Sequence, residues 1–343
     1  MKKFETKLGI WIGVAILFVM FSFYGYQIMF TDNILVDKDD TVLYITNDTD
    51  FKTLVKELKK KGILHDELSF SFLAKLMGYQ EKVIPGRYEL KRNSGNFRVL
   101  KMLAKGRQSP VQLTFNNIRT KEELAEKLSK KMMFPKEELF NALNNDSVCK
   151  SLGFERETVM CMFIPNTYEV YWNLSVEKFL ERMKDEYDKF WTQDRIDLAE
   201  KKGLDPIKVS ILASIVEAET QKDDEKPRIA GVYLNRLKKG MKLQADPTVK
   251  FALQNFELRR ILEGHLKTDS PYNTYIYKGL PPGPINLPSV TSLKSVLKAE
   301  NHQYIFFCAD LSKPGYHGFS ETFEEHVKMA NSYRAGLDKM NIK

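Results

Sequence analysis

Between Asp205 and Thr220 the chain reads DPIKVSILASIVEAET, and two carboxyls near the end of this segment, Glu217 and Glu219, are the groups in it whose chemistry would be proton transfer. Asp205-Pro206 is a helix start, a capping carboxylate followed by proline at the first helical position. Projected at about 100° per residue, Val209, Leu212, Ile215 and Val216 share one side, while Ser210, Ser214 and Glu217 fall together on the other. Periodicity leaves two settings for that polar stripe: a solvent-facing side, or the floor of a cleft covered by later segments. Glu219 projects back toward the apolar side, where a carboxyl needs a partner or a helix end.

Other reactive side chains are spaced less tellingly. The five histidines, His65, His265, His302, His317 and His326, show no HExxH-type ligand spacing. Cys149, Cys161 and Cys308 are odd in number and far apart, which fits packing residues rather than a disulfide framework. No metal and no cofactor are expected. The formal charge of +8 over 343 residues is spread through short lysine runs such as Lys59-Lys60-Lys61 and Lys238-Lys239. These read as solvated helix faces, so no nucleic-acid partner is expected.

The elements around the glutamates come next. After them an amphipathic helix carries Ile229, Val232, Tyr233 and Leu237 and stops at Gly240, and Asp246-Pro247 repeats the helix-start device. At the other end of the chain, Leu8 to Phe30 is uncharged, mostly apolar and long enough to cross a hydrocarbon core of about 30 Å as a helix. Lys2, Lys3 and Lys7 precede it, and Asp32, Asp37, Asp39 and Asp40 follow, so the positive-inside rule predicts a cytoplasmic amino terminus and a body outside the cytoplasmic membrane. The exit, GYQIMFTDN, lacks a small-x-small cleavage site, which favours an uncleaved anchor over a signal peptide.

Beyond the anchor, Val42 to Ile45 predicts a strand. Thr49 or Asp50 can cap a helix carrying Phe51, Leu54, Val55 and Leu58, and a second helix presents Leu68, Phe72, Leu73 and Leu76 as its apolar stripe. Pro85-Gly86 then turns the chain into a strand at Arg87 to Leu90. Phe97 to Lys105 predicts a further helix, and Val111, Leu113 and Phe115 another strand. The fold class expected is α+β in three parts: residues 1–32 as cytoplasmic tip and transmembrane anchor, a small α/β module at 38–110, and a larger mixed α+β domain at 111–343.

Five strings then occur in succession: LASIVEAET at 212–220, Asn235-Arg236-Leu237, LQADPTV at 243–249, SPYNTY at 270–275 and GLPPGPI at 279–285. In order and spacing they resemble the motifs of the MltG (YceG-like) endolytic murein transglycosylase family. The resemblance implies a LysM-like module where the strand, helix, helix, strand order lies, and a YceG-like catalytic domain with the catalytic glutamate at the end of a helix. It implies non-hydrolytic cleavage of peptidoglycan glycan strands between N-acetylmuramic acid and N-acetylglucosamine, leaving 1,6-anhydro ends.

By that resemblance Glu217 is the catalytic acid and then base, with a pKa expected to be raised by burial against apolar walls. Ser214, Gln244, Asp246, Tyr272, Asn273, Thr274 and His317 are candidates for binding substrate, with loop geometry as the alternative role and helix capping for Asp246. Glu219, Asn235 and Arg236 are candidates for structural support, the last two as anchors of the glutamate helix. Two positions depart from the family pattern, Asn166 where aspartate is usual and Ala218 where lysine is usual. The expected partners are peptidoglycan, the membrane through the amino-terminal helix, and a peptidoglycan synthase. Two rival readings stay open. One is a hydrolase using a second carboxylate, Asp246 or Glu219. The other is a non-catalytic scaffold that binds peptidoglycan.

Overall fold

The apolar amino-terminal run lies within one helix, α1 (Lys2–Phe30), whose stretch Lys7–Phe30 keeps its side chains out of the protein interior until its last turns, where Ile28 is buried. At 1.5 Å per residue that stretch is about 36 Å long, enough by length and composition to cross a bilayer. The computed structural model describes residues 2–36, 41–258 and 260–339; Asp37, Asp39 and Asp40, counted above in the charge asymmetry, lie outside them. The chain is mixed α+β and divides into two units.

The first unit runs to Gln112, with Lys131–Met133 and Glu169–Leu174 added to it. Its strands are β1 (Asp32–Ile34), β2 (Thr41–Ile45), β3 (Gly86–Leu90) and β4 (Ser94–Gly95). Its further helices are α2 (Phe51–Lys60), α3 (Glu67–Leu76) and α4 (Asn96–Ala104). Strands β2 and β3 pair antiparallel from Thr41↔Leu90 to Ile45↔Gly86, and β1 pairs with β4. The expected strand, helix, helix, strand order is therefore present. Local chemistry sets the helix starts: Asp50 accepts from Thr53 N–H, and Asp66 accepts from the N–H groups of Leu68 and Ser69.

One packing expectation fails in this unit. In α3 the buried residues are Phe70, Leu73 and Ala74, whereas Leu68, Phe72 and Leu76 are 83%, 54% and 68% exposed. The helix is apolar on nearly every side, so periodicity could not select its inner face.

The end of α1 belongs to this unit's core. Ile28 is buried with Ile34, Leu54, Phe70 and Leu100. The Asn96 side chain donates to Ile28 O at 2.9 Å and accepts from Asn33 Nδ2 at 2.7 Å. A Cβ on Gly95 would stand 2.9 Å from the carbonyl oxygens of Met29 and Phe30, so only glycine lets the two backbones meet there. Replacing Asn96 by alanine orphans these groups and is expected to cost about 1–3 kcal/mol. Denaturant unfolding of the full chain in detergent reads this, and an unchanged midpoint would contradict it.

The remainder forms the second unit. Strands β5 (Val111–Thr114) and β6 (Thr167–Val170), whose residues 113–114 and 167–168 belong to it, pair with each other. Helices α5 (Lys121–Ser129), α6 (Lys136–Leu143) and α7 (Asp146–Ser151) precede a 3-10 turn at Val159–Met162, and α8 (Val176–Phe190) and α9 (Gln193–Glu200) follow. Then come α10 (Pro206–Glu219), α11 (Lys226–Lys238), α12 (Asp246–Ala252), the short α13 (Glu263–Leu266) and α14 (Val290–Leu297). The hairpin β7 (Phe306–Ala309) and β8 (His317–Ser320) leads into α15 (Phe323–Lys339).

At the centre of this unit stands α10, started as expected by Asp205, whose carboxylate accepts from Lys208 N–H at 2.8 Å. It packs against α9, the 3-10 turn, α11, α12 and α14, and every residue from Val209 to Val216 is buried. The serine stripe is thus not a solvent face. Ser210 Oγ donates to Pro206 O and Ser214 Oγ to Ile211 O, so the hydroxyls satisfy themselves on their own helix and can be buried.

Candidate active site

Glu217 sits in the last turn of α10, its side chain 26% exposed, at the wall of a 220 Å³ cleft. Ser289 Oγ donates to Glu217 Oε2 at 2.6 Å and the Ser289 N–H at 3.3 Å. Ser292 Oγ donates to the same oxygen. Lys226 Nζ lies 3.3 Å from it and 2.8 Å from Asp223 Oδ1, although the lysine side chain is only 4% exposed. Ser289 is the N-cap of α14, its Oγ accepting from Ser292 N–H, so the positive dipole end of that helix faces the carboxylate.

These contacts reverse the expected pKa. Burial pushes the Glu217 carboxyl up, but the hydroxyls of Ser289 and Ser292 and the Lys226 ammonium outweigh it and hold the group below its ordinary value of 4.5. The missed partners left little trace in sequence. Ser289 and Ser292 form a serine pair three apart at a helix start, which reads only as capping, and Lys226 follows Asp223-Asp224-Glu225 in what looks like a solvated charge run.

The segment after the proline run closes the cleft. Ile285 N–H donates to Ser214 Oγ at 3.0 Å and Asn286 Nδ2 to Ser214 O at 2.8 Å, which seats Ile285, Asn286 and Leu287 along the cleft one turn before Glu217. Ser214 is therefore beneath the cleft wall. Gly283 runs so close to Glu157 that a Cβ would collide with that residue's carbonyl oxygen. Across from these, Lys250 and Arg119 bring positive charge, and the Arg119 guanidinium lies 4.9 Å from the centroid of Phe256, also a lining residue.

The other candidates stand away from this lining. Asn273 is buried, donating to Leu266 O and Thr268 O, and Thr274 is buried against Thr248 Oγ1 and Ala245 N–H. Gln244 takes a positive φ of 50° and donates its N–H to Thr274 O. Tyr272 packs on Phe251 at 4.7 Å, and burial pushes its hydroxyl up to about 12. Asp246 is not a cap, since Ala245 occupies that position; its carboxylate accepts from Tyr275 OH at 2.6 Å. Together these residues knot the loops at 243–249 and 268–275.

Glu219 has found the partner its position demands, accepting from Tyr233 OH at 2.6 Å, and burial pushes its carboxyl up to about 7. Asn235 donates to His302 O and Tyr304 O, and Arg236 to Ile305 O and Leu243 O, so these two side chains hold the 302–305 segment rather than α10 itself. His317 Nδ1 lies 2.8 Å from Glu225 Oε2 and its N–H donates to Glu225 Oε1 at 2.6 Å. That contact ties the β7–β8 hairpin to the residue before Lys226. Ala218 lines the cleft beside Glu217, and Asn166 is an exposed residue outside the lining.

Because Glu217 is depressed below its unfolded value, its ionised form contributes stability above 4.5 that is lost as pH falls through the folded pKa. Lys226→Met removes the ammonium, so the Glu217 pKa is expected to rise. A carbon-13 carboxyl titration by NMR reads the shift, and an unchanged or lower value would contradict the arrangement.

Comparison with known proteins bears on this site. The endolytic murein transglycosylase of Bacillus subtilis strain 168 is 25% identical over 317 residues, 87% of each chain. That of Streptococcus pneumoniae strain D39 is 26% identical over 338 residues, 89% of this chain and 61% of its own. The 2.6 Å crystal structure of a yceG-like protein from Listeria monocytogenes is similar with a TM-score of 0.56 at 26% identity, covering 85% of this chain and 99% of that one. The sequence model of the YceG-like family matches residues 43–332, and the chain belongs to that family.

Proposed function

We propose that this chain is an endolytic lytic transglycosylase of peptidoglycan, held at the outer side of the cytoplasmic membrane by α1, with Glu217 as its single acid and base. The observation that carries the reading is the cleft's inventory: among the described residues lining it, Glu217 is the one carboxyl. Asp246 and Glu219, the acids a hydrolase would need, are bound to Tyr275 and Tyr233 and do not line it. The relatives' shared name, endolytic murein transglycosylase, supports the substrate class.

One carboxyl suffices when the nucleophile belongs to the substrate. As a neutral acid, Glu217 gives its proton to the glycosidic oxygen as the bond from N-acetylmuramic acid to N-acetylglucosamine breaks. As a carboxylate it then takes the proton of the muramic 6-hydroxyl, whose oxygen closes onto C1. No water is consumed, and no second carboxylate is required to activate one. The resting contacts of Glu217 suit the second half of this cycle. The first half needs a proton, which the carboxyl gains once the glycan covers the cleft and expels water, raising its pKa. Phe256 offers an apolar face to a sugar ring, while Arg119 and Lys250 suit the carboxylates of muramic acid and its peptide. The loops knotted by Gln244, Asp246, Tyr272, Asn273 and Thr274 support the cleft from behind.

The lysines that precede the apolar run of α1 and Asp32 after it support an inside amino terminus, and the β2–α2–α3–β3 order supports a LysM-like, glycan-binding module. A membrane-bound peptidoglycan synthase is the partner this location implies. Glu217→Gln keeps an oxygen for Ser289 and Ser292 but no exchangeable acid, so cleavage of purified strands is expected to fall by about 10²–10⁴-fold with the fold intact. Undiminished cleavage would remove Glu217 from its role. Mass analysis of wild-type products is expected to find 1,6-anhydro ends; reducing ends, heavier by one water, would make the chain a hydrolase. No cleavage at all would favour the scaffold.

A further inference from the structure

We infer that the exposed stripe of α3 lies on the bilayer surface, so that the first unit touches lipid as well as being anchored by α1. The stripe consists of Leu68, Phe72 and Leu76, spaced four apart and therefore within about 80° of arc, with exposures of 83%, 54% and 68%. Isolated exposed apolar residues are ordinary, but three large ones on one face of a ten-residue helix whose other face fills the core form an unpartnered apolar surface.

Its position identifies the occupant. Counting 20 residues from Leu8, about 30 Å of helix, brings the hydrocarbon boundary to Gln27. Tyr24 and Tyr26 are exposed there, as interface aromatics are. The start of α3 borders that same level: a hollow of 370 Å³ is lined by Tyr24, Gln27 and Ile28 of α1 together with His65, Asp66 and Ser69. Leu68 lies between Asp66 and Ser69 in the chain, so the stripe begins beside this level.

The joint holds this level in place, because Asn96 grips Ile28 O and Gly95 lets the backbones touch. On α4, Phe97 packs on Phe30 at 6.0 Å, and Lys91, Arg98, Lys101 and Arg107 border the groove beside it. Among the described residues no ion pair engages these four cations, which suits an anionic headgroup layer. An exposed apolar helix face so placed sits at the interface with its side chains in the acyl boundary. The inference rests on the proposed membrane insertion of α1.

The test uses the full chain with Cys308→Ser, carrying a nitroxide at Leu68→Cys, Phe72→Cys or Leu76→Cys, in phosphatidylglycerol and phosphatidylethanolamine vesicles. Reference labels go at Phe18→Cys in α1 and Lys52→Cys on exposed α2. The α3 positions are surface sites, so the substitutions leave the fold intact. Paramagnetic resonance compares collisions with oxygen, which concentrates in lipid, and with an aqueous nickel chelate. The expected result is that the three α3 labels resemble Phe18→Cys, with oxygen preferred several-fold more than at Lys52→Cys. If they match Lys52→Cys while Phe18→Cys stays in lipid, the inference fails and the anchor stands. An aqueous Phe18→Cys would overturn the anchor and the inference with it. Label–label broadening that disappears on dilution with unlabelled chain would mean a second copy covers the stripe, which also overturns it.

Discussion

The grip on one oxygen of Glu217 is the constraint on which the second unit turns. Ser289 Oγ at 2.6 Å, Ser292 Oγ and Lys226 Nζ at 3.3 Å converge on it from two places in the chain, the start of α14 and the start of α11. A half-enclosed carboxylate is costly without such donors, so the end of α10, the start of α14 and the start of α11 must meet at one point. Each of these elements is then secured separately. The contacts of Ile285 and Asn286 with Ser214 deliver the chain to Ser289, and the Glu225–His317 contact fixes the residue before Lys226. The short side chain of Ser214 is what allows a backbone segment to dock on a buried helix.

The same grip sets the chemistry of the cleft. Burial alone would favour the neutral acid, yet two hydroxyls, a helix start and an ammonium favour the carboxylate, and their sum wins. Glu219, two residues on, experiences the opposite balance, because the Tyr233 phenol donates to it but burial dominates. Two carboxyls on one turn of helix are thus driven apart in acidity by their surroundings. In the proposed reaction this separation assigns proton transfer to the residue facing the cleft and leaves Glu219 as a support of α11 through Tyr233.

In the first unit the decisive contact is between helix and module. The buried amides of Asn33 and Asn96 pair with each other, and Asn96 reaches back to the last turns of α1. The unit's core includes Ile28, so the helix end and the small module share one hydrophobic interior without a linker between them. That continuity gives the exposed face of α3 a defined depth relative to α1.

Local chemistry was legible from the residues alone. The apolar span of α1, the caps at Asp50 and Asp205, the β2–α2–α3–β3 order and the start of α10 follow from near neighbours, because capping, turn formation and helical period act over a few residues. The ordered strings from 212 to 285 pointed to Glu217 and to the family. Other features were beyond that range. Periodicity put Ser210 and Ser214 opposite the apolar residues but could not reveal that α10 is buried on all sides, nor which face of the nearly all-apolar α3 turns inward. The donors that lower the Glu217 pKa stand 9, 72 and 75 residues away in the chain. Burial and pairing between remote segments arise only when the chain is packed, and for that reason sequence spacing determined where a carboxyl could act while the tertiary structure decided its charge.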